Sequence, residues 1–230
     1  MSAVQAAISN FNFSAMFLSL RLYERLGLPV ISTARPFSFY RKTFFDNRSE
    51  ASILNELDGK TLVDIGCGLT PFTEDSMFQV CRRNGISFYG VDPKLSQGFK
   101  FGAFDALKSL VTGATSLPKA DMPGLEKAIA GYADSLIFED SSVDYVLCSW
   151  LLFAWIQDPA LIGKIFTEFD RILKPGGQIS IYPTPHWKHV KQKYPELAGT
   201  FDTYQVRQKF SVEIKAASLP FSYVTHLVKP

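Results

Sequence analysis

The run Asp64-Ile65-Gly66-Cys67-Gly68 places a carboxylate two residues before a pair of closely spaced glycines. Glycine has no Cβ, so Gly66 and Gly68 let the backbone turn tightly and come close to a ligand. Leu62, Val63 and Ile65 read as the end of a buried strand. After the glycines, Thr70 suits a helix N-cap and Pro71 the first helical position, where a missing N–H costs nothing. Strand, glycine turn and helix start together make the first ligand crevice of a doubly wound α/β sheet. The surrounding residues discourage a pyrophosphate. A dinucleotide turn wants a third glycine where this chain has Pro71. No Lys or Arg occurs between Gly66 and Val80, and Glu74 and Asp75 fall where the first helical turn is expected. Asp64 favours a ligand that bears positive charge. Asp92, 24 residues past Gly68, ends the next apolar run, and Pro93 bars its continuation. A carboxylate offers only acceptors, so Asp92 is suited to take hydrogen bonds from two ribose hydroxyls.

Asp-x-Gly-x-Gly followed by an acid at the end of the next strand resembles the S-adenosylmethionine-dependent methyltransferases of the class I, Rossmann-like kind. The resemblance covers about residues 48–182. It implies a doubly wound, seven-stranded, mostly parallel sheet with one antiparallel edge strand, and S-adenosyl-L-methionine as cofactor. It also implies that Asp64, Gly66, Cys67, Gly68, Asp92 and Pro93 hold that cofactor. The loop carrying Ala133 and Asp134 takes the family's place beside adenine, although Tyr132 stands where many relatives have an aspartate. Ser149 and Trp150 follow the fourth strand and should line the methyl-transfer centre. The Asn-Pro-Pro-Tyr signature of enzymes that methylate a base amino group is absent there. Ser149 also stands where metal-dependent catechol-type relatives have an aspartate, so no catalytic metal is expected.

The implied activity is methyl transfer to an N or O atom of a small molecule. The alternative is a protein that binds the donor without catalysis, as a regulatory or partner subunit. Position and direction, rather than acid–base groups, supply most of such a reaction's rate. If the acceptor must lose a proton, Tyr40, His186 and His189 are the candidate bases by location. His186 lies in Pro183-Thr184-Pro185-His186-Trp187-Lys188-His189, which leaves the fifth strand on the cofactor side and is the main candidate for substrate contact.

At 230 residues, the chain can bury a full core as a single globular unit. The reading divides it into an N-terminal helical arm or lid, 1–47, and a cofactor-binding domain, 48–230. The net charge is only +2, and the basic residues after His186 are interspersed with Glu196, Asp202 and Glu213. That pattern describes a solvated face and argues against a nucleic-acid partner. Cys67, Cys81 and Cys148 form no Cys-x-x-Cys pair, so neither a disulfide framework nor a zinc site is indicated, and the usage fits a reducing cytoplasm. The first twenty residues carry no charge, but Ser9, Asn10, Asn12 and Ser14 interrupt their apolar run. They read as neither a secretory signal nor a membrane span. A helical arm that packs on the domain or pairs two subunits into a homodimer fits them better.

The remaining elements follow from periodicity. Residues 49–57 read as a helix, and so does the segment from Pro71 to Asn84. A strand is expected over 86–91, a helix over 103–111 within a long excursion from 94 to 124, and a third strand over 125–130. Asp144 should organise the turn into the fourth strand. The clearest helix spans 158–173: Asp158 caps it, Pro159 opens it, and Ile162, Ile165, Phe166, Phe169 and Leu173 form one apolar stripe. The turn at Gly176-Gly177 leads into a fifth strand over 178–182. Residues 209–216 and 221–228 read as a closing strand pair.

Overall fold

Side chains alternate across a strand, and in the first strand this splits the core in two. Leu62 joins one buried cluster and Val63 and Ile65 the other, so both faces of the sheet are covered. The computed structural model describes residues 34–99, 101, 116–210 and 222–230, with eight helical positions between Val4 and Arg25. Its strands are β1 (Thr61–Ile65), β2 (Ser87–Val91), β3 (Ala128–Ile129), β4 (Val143–Ser149), β5 (Leu173–Thr184), β6 (Gln205–Phe210) and β7 (Tyr223–Val228). They form one seven-stranded sheet in the order β3-β2-β1-β4-β5-β7-β6. Neighbours from β3 to β5 pair in parallel, and β7 pairs antiparallel with both β5 and β6. This is the sheet the sequence implies. The one antiparallel strand lies second from the edge, with β6 outside it.

One face carries α1 (Phe37–Phe44), α2 (Glu50–Leu57) and α3 (Met77–Arg83), which bury Tyr40, Ile53 and Phe78. The other carries α4 (Pro159–Ile172), α5 (Trp187–Lys193) and α6 (Ala198–Asp202), which bury Phe169, Val190 and Phe201. The α4 stripe is the one expected, and Asp158 caps it by accepting from the Leu161 N–H at 3.1 Å. Ser49 does the same for α2 through the Ser52 N–H. Asp144 accepts from the Thr61 N–H at 2.9 Å and from Lys174 Nζ at 2.7 Å, tying the starts of β1 and β5 to β4. Between β1 and β4 the strand order reverses, and there the carboxyl ends of neighbouring strands open a crevice.

The helix expected from Pro71 is broken. Residues Thr70–Phe72 make one 3-10 turn with Leu69, not Thr70, at its cap, and α3 starts at Met77 behind a Ser76 cap. The cause is tertiary. Pro36 and Ser76 form an antiparallel bridge, and the Phe37 N–H donates to the Asp75 carbonyl at 2.7 Å, which holds Ser76 extended. Glu74 and Asp75 therefore lie in the turn before α3 and not in its first turn. The third strand shrinks to Ala128–Ile129 behind a 3-10 turn, Leu125–Lys127. The closing pair begins earlier than its pattern suggests, because β6 is a largely exposed, polar edge strand. The expected helix over 103–111, with the span 102–115 of the excursion that contains it, and residues 211–221 lie outside the described residues. Among the described residues, no helix is long and apolar enough to cross a membrane.

Gly90 on β2 sits opposite Asp64 in register. A Cβ there would come within 2.8 Å of Cys67 Sγ and 3.1 Å of Pro71 Cγ, so the glycine loop can fold over β2 only because Gly90 is bare. Gly90→Ala should lower stability in urea unfolding by about 1–3 kcal/mol, the usual cost of overpacking. Gly199→Ala, in α6 where a Cβ meets nothing within 4 Å, should not lower it and should raise it by up to about 1 kcal/mol.

Candidate functional site

The site grows from the turn after β1. The Gly66 and Cys67 N–H groups both donate to the Val91 carbonyl, at 2.8 and 3.3 Å, which folds the turn against the end of β2. Gly66 and Gly68 take φ values of +74° and +56°, a region open to glycine at little cost. Asp92 closes the arrangement: Oδ2 accepts from the Gly68 N–H at 3.0 Å and Oδ1 from the Lys94 N–H at 2.9 Å. Each carboxylate oxygen has a second lone pair, so the side chain is oriented by the backbone and can still accept from a ligand. Pro93 opens the exposed 3-10 turn Pro93–Gln97 beside it.

Asp64 lies beneath this turn, fully buried. The Tyr40 hydroxyl donates to its Oδ2 at 2.5 Å, and Oδ1 is buried without a partner. Burial pushes the Asp64 carboxyl up to about 6; the nearby Arg35 charge and the Tyr40 hydrogen bond oppose that rise, and Asp92 adds to it. Tyr40 itself is held well above its ordinary value by burial and by the Asp64 charge. Its proton is committed to Asp64, so Tyr40 stands as the support of that carboxylate and not as a base facing a substrate.

Arg35 is the residue that the sequence pattern did not single out. It is buried, and its Nη1 donates to the Gly66 carbonyl at 3.3 Å and its Nη2 to the Ser149 carbonyl at 3.2 Å. Its own N–H donates to Thr70 Oγ1 at 3.3 Å, and its guanidinium lies 5.8 Å from the centre of the Phe39 ring. The arm thus bridges the ends of β1 and β4 across the crevice. An Arg whose partners are main-chain carbonyls leaves no spacing signal.

At the end of β4, Ser149 Oγ is buried without a partner, and Trp150 adopts φ +63°. A left-handed conformation is costly for a bulky residue and recurs at functional sites. It is held by the Trp150 N–H donating to the Tyr182 carbonyl at 2.6 Å and by an edge contact between the two rings at 6.2 Å. Ala133 and Asp134 form the tip of a turn between the bridged residues Tyr132 and Ser135, after β3. His186, just beyond β5, is half-buried at the start of α5 with its ring 5.4 Å from Tyr223. Burial and the Lys188 charge lower its pKa, so the imidazole is neutral at pH 7. The structure gathers Asp64, Gly66, Cys67, Gly68, Asp92 and Ser149 at one rim. Trp150 adjoins them, while His186 and the 133–134 turn lie farther along it on opposite sides. Cys67 and Cys148 are free, buried thiols. Among the described residues, no group of three or more His, Cys, Asp or Glu side chains is placed to hold a metal ion.

A family model described as a methyltransferase domain matches residues 63–181. No curated protein matches the chain. Among solved structures, it is similar to a SAM-dependent methyltransferase from Methanosarcina mazei, with 19% identity and a TM-score of 0.45 over 74% of this chain and 92% of that one. It is similar to another from Archaeoglobus fulgidus, with 15% identity and a TM-score of 0.43 over 84% and 99%. A third is geranyl diphosphate C-methyltransferase from Streptomyces coelicolor, with 15% identity and a TM-score of 0.41 over 99% and 97%.

The Asp64 carboxyl has a pH consequence. Its folded pKa of about 6 lies above the ordinary 3.8, so the folded state holds that proton more tightly than the unfolded chain. Its contribution is most favourable below pH 4 and is lost as pH rises from about 4 to about 6. Asp64→Asn keeps an acceptor for Tyr40 and removes the charge. Unfolding free energies measured across that window should diverge in favour of the variant by an amount on the order of 3 kcal/mol at pH 7. A constant difference across pH would show that Asp64 ionises normally.

Proposed function

The chain belongs to the methyltransferase domain family, whose model spans just over half of it, and from that premise we propose that it uses S-adenosylmethionine to methylate an N or O atom of a small molecule. One observation carries this reading of the donor. A glycine turn whose own segment, from Gly66 to Val80, carries no Lys or Arg lies over a buried carboxylate whose Oδ1 has no partner, and a second, oriented carboxylate sits beside it. An acceptor oxygen buried without a partner is costly, and a cationic ligand relieves that cost. When bound, S-adenosylmethionine supplies a methyl group already activated by its sulfonium.

The chain's own work is to bind, orient and keep water out. Gly66, Cys67 and Gly68 cradle the donor with backbone. Asp92, beside Pro93, accepts from the ribose hydroxyls. The turn at Ala133 and Asp134 flanks the adenine, and Ser149 and Trp150 border the centre of transfer. Tyr40 fixes the Asp64 carboxylate. His186, neutral at pH 7, receives a proton from an acceptor that must lose one. The arm, 1–47, covers the 48–230 domain at this rim, and its N-terminal helix pairs two copies. Support for the arm's role comes from α1, whose Phe37, Tyr40 and Phe44 are part of the domain's own core. Three buried free thiols fit a reducing compartment.

Titration with S-adenosylhomocysteine tests the donor. The wild type should bind it. Asp92→Ala should weaken binding roughly tenfold or more, the worth of hydrogen bonds to a charged group. Gly66→Asp should abolish it, since that position has φ +74°, which strains a residue with a Cβ, and the side chain would stand on the turn that receives the donor. Unchanged affinity in both variants refutes the site.

A further inference from the structure

The N-terminal arm leaves an apolar seam uncovered. Val4, Ile8, Phe11, Ala15, Leu18 and Leu22 occupy helical positions and follow one another at alternating intervals of four and three residues. All six are exposed, the larger side chains from 38% at Ile8 to 73% at Phe11. A continuous apolar line of this kind marks a docking surface. Alternation of four and three is the spacing of a helix that winds against another helix. A helix that lies on a lipid surface instead carries Lys or Arg on its polar face, and the first twenty residues carry no charge. The seam is also complementary to itself. Turned end for end on an axis beside position 13, a second copy sets its Leu22 on Val4, its Leu18 on Ile8 and its Ala15 on Phe11, and by symmetry the reverse. Each central layer then joins the largest side chain of the seam to the smallest.

We infer that two copies of this chain pair antiparallel along this seam, with Phe11 of each seated on Ala15 of the other. The inference rests on the pairing of arms proposed above and adds to it the contact residues and their direction; it is independent of the methyl donor. A parallel pair would stack Phe11 on Phe11 and Ala15 on Ala15, one layer overfilled and the next hollow. It would also bring together the two copies of Arg25, which continues the seam past Leu22 at the same spacing. The antiparallel pair sends those like charges to opposite ends, about 36 Å apart along the axis. Covering the seam on both copies removes on the order of 1,000 Å² from water, the lower bound of a specific interface.

The test reads mass and direction on the full chain. By sedimentation equilibrium the wild type should be a dimer. Leu18→Glu, which puts an unpaired charge in the seam, should raise the dissociation constant about a hundredfold or more. Direction comes from oxidising Ile8→Cys and Leu18→Cys proteins, alone and mixed, the native thiols being buried. In the antiparallel pair the two Ile8 positions, like the two Leu18 positions, lie about 15 Å apart along the axis, beyond disulfide reach. Each variant alone should therefore stay uncrosslinked, and the mixture should form a covalent dimer. Crosslinking of either variant alone would make the pair parallel, overturning the inference and leaving the pairing. No crosslink in the mixture, or an unchanged dimer in Leu18→Glu, would move the interface elsewhere and overturn it too. A wild-type monomer would remove pairing and inference together, and flotation of that monomer with phosphatidylserine vesicles would assign the seam to lipid.

Discussion

A carboxylate buried at the end of β1 with half its hydrogen-bonding capacity unused is the constraint around which this molecule is arranged. Taking a carboxylate out of water is destabilising unless it is paired. Asp64 is compensated only in part, by the Tyr40 hydroxyl on one oxygen and by Arg35 at a distance. Its pKa near 6 measures the shortfall. The neighbourhood repeats the pattern: Ser149 Oγ is orphaned, and Trp150 and Phe153 both adopt φ +63°. Strain and unsatisfied polar atoms gathered at one rim are what a binding site looks like before its ligand makes the missing contacts.

The rest of the fold keeps that rim open and well defined. The strand order reverses between β1 and β4, where the connections leave the sheet to opposite sides. Gly90 makes room for the glycine turn, and Asp92 fixes the turn through the Gly68 N–H. The α1 segment crosses from outside. Its aromatic residues Tyr40 and Phe44 share a cluster with Leu62 and Phe88, and Arg35 lands on the carbonyls that end β1 and begin the loop after β4. Packing and electrostatics are joined here, because the ring that fills the core is also the donor to Asp64.

What could be read in the sequence was what depends on near neighbours. The Asp64–Gly68 run needs only five residues to set an acid before a glycine turn. Asp158 and Pro159 announce α4 by themselves, and its stripe of Ile162, Ile165, Phe166 and Phe169 recurs at helical spacing. What could not be read depends on partners distant in sequence. The helix expected from Pro71 fails because Pro36 and Phe37, more than thirty residues earlier, pair with 75–76. Tyr40 was visible as an aromatic with a hydroxyl near the site, but its commitment to Asp64 is a tertiary contact. Arg35 bonds to main-chain carbonyls, which every residue possesses, so nothing in the identities of Gly66 or Ser149 points to it. The edge strand β6 was displaced because an exposed strand lacks the apolar alternation by which strands are recognised.

The most direct measurement is a crystal structure of the full chain grown with S-adenosylhomocysteine. The account requires the ligand at the carboxyl ends of β1, β2 and β4. Its ribose should lie on Asp92 and its sulfur over the Gly66–Gly68 turn, on the side of Asp64. A ligand bound elsewhere on the molecule, or a rim left unchanged with Asp64 Oδ1 still bare at saturating ligand, would contradict it.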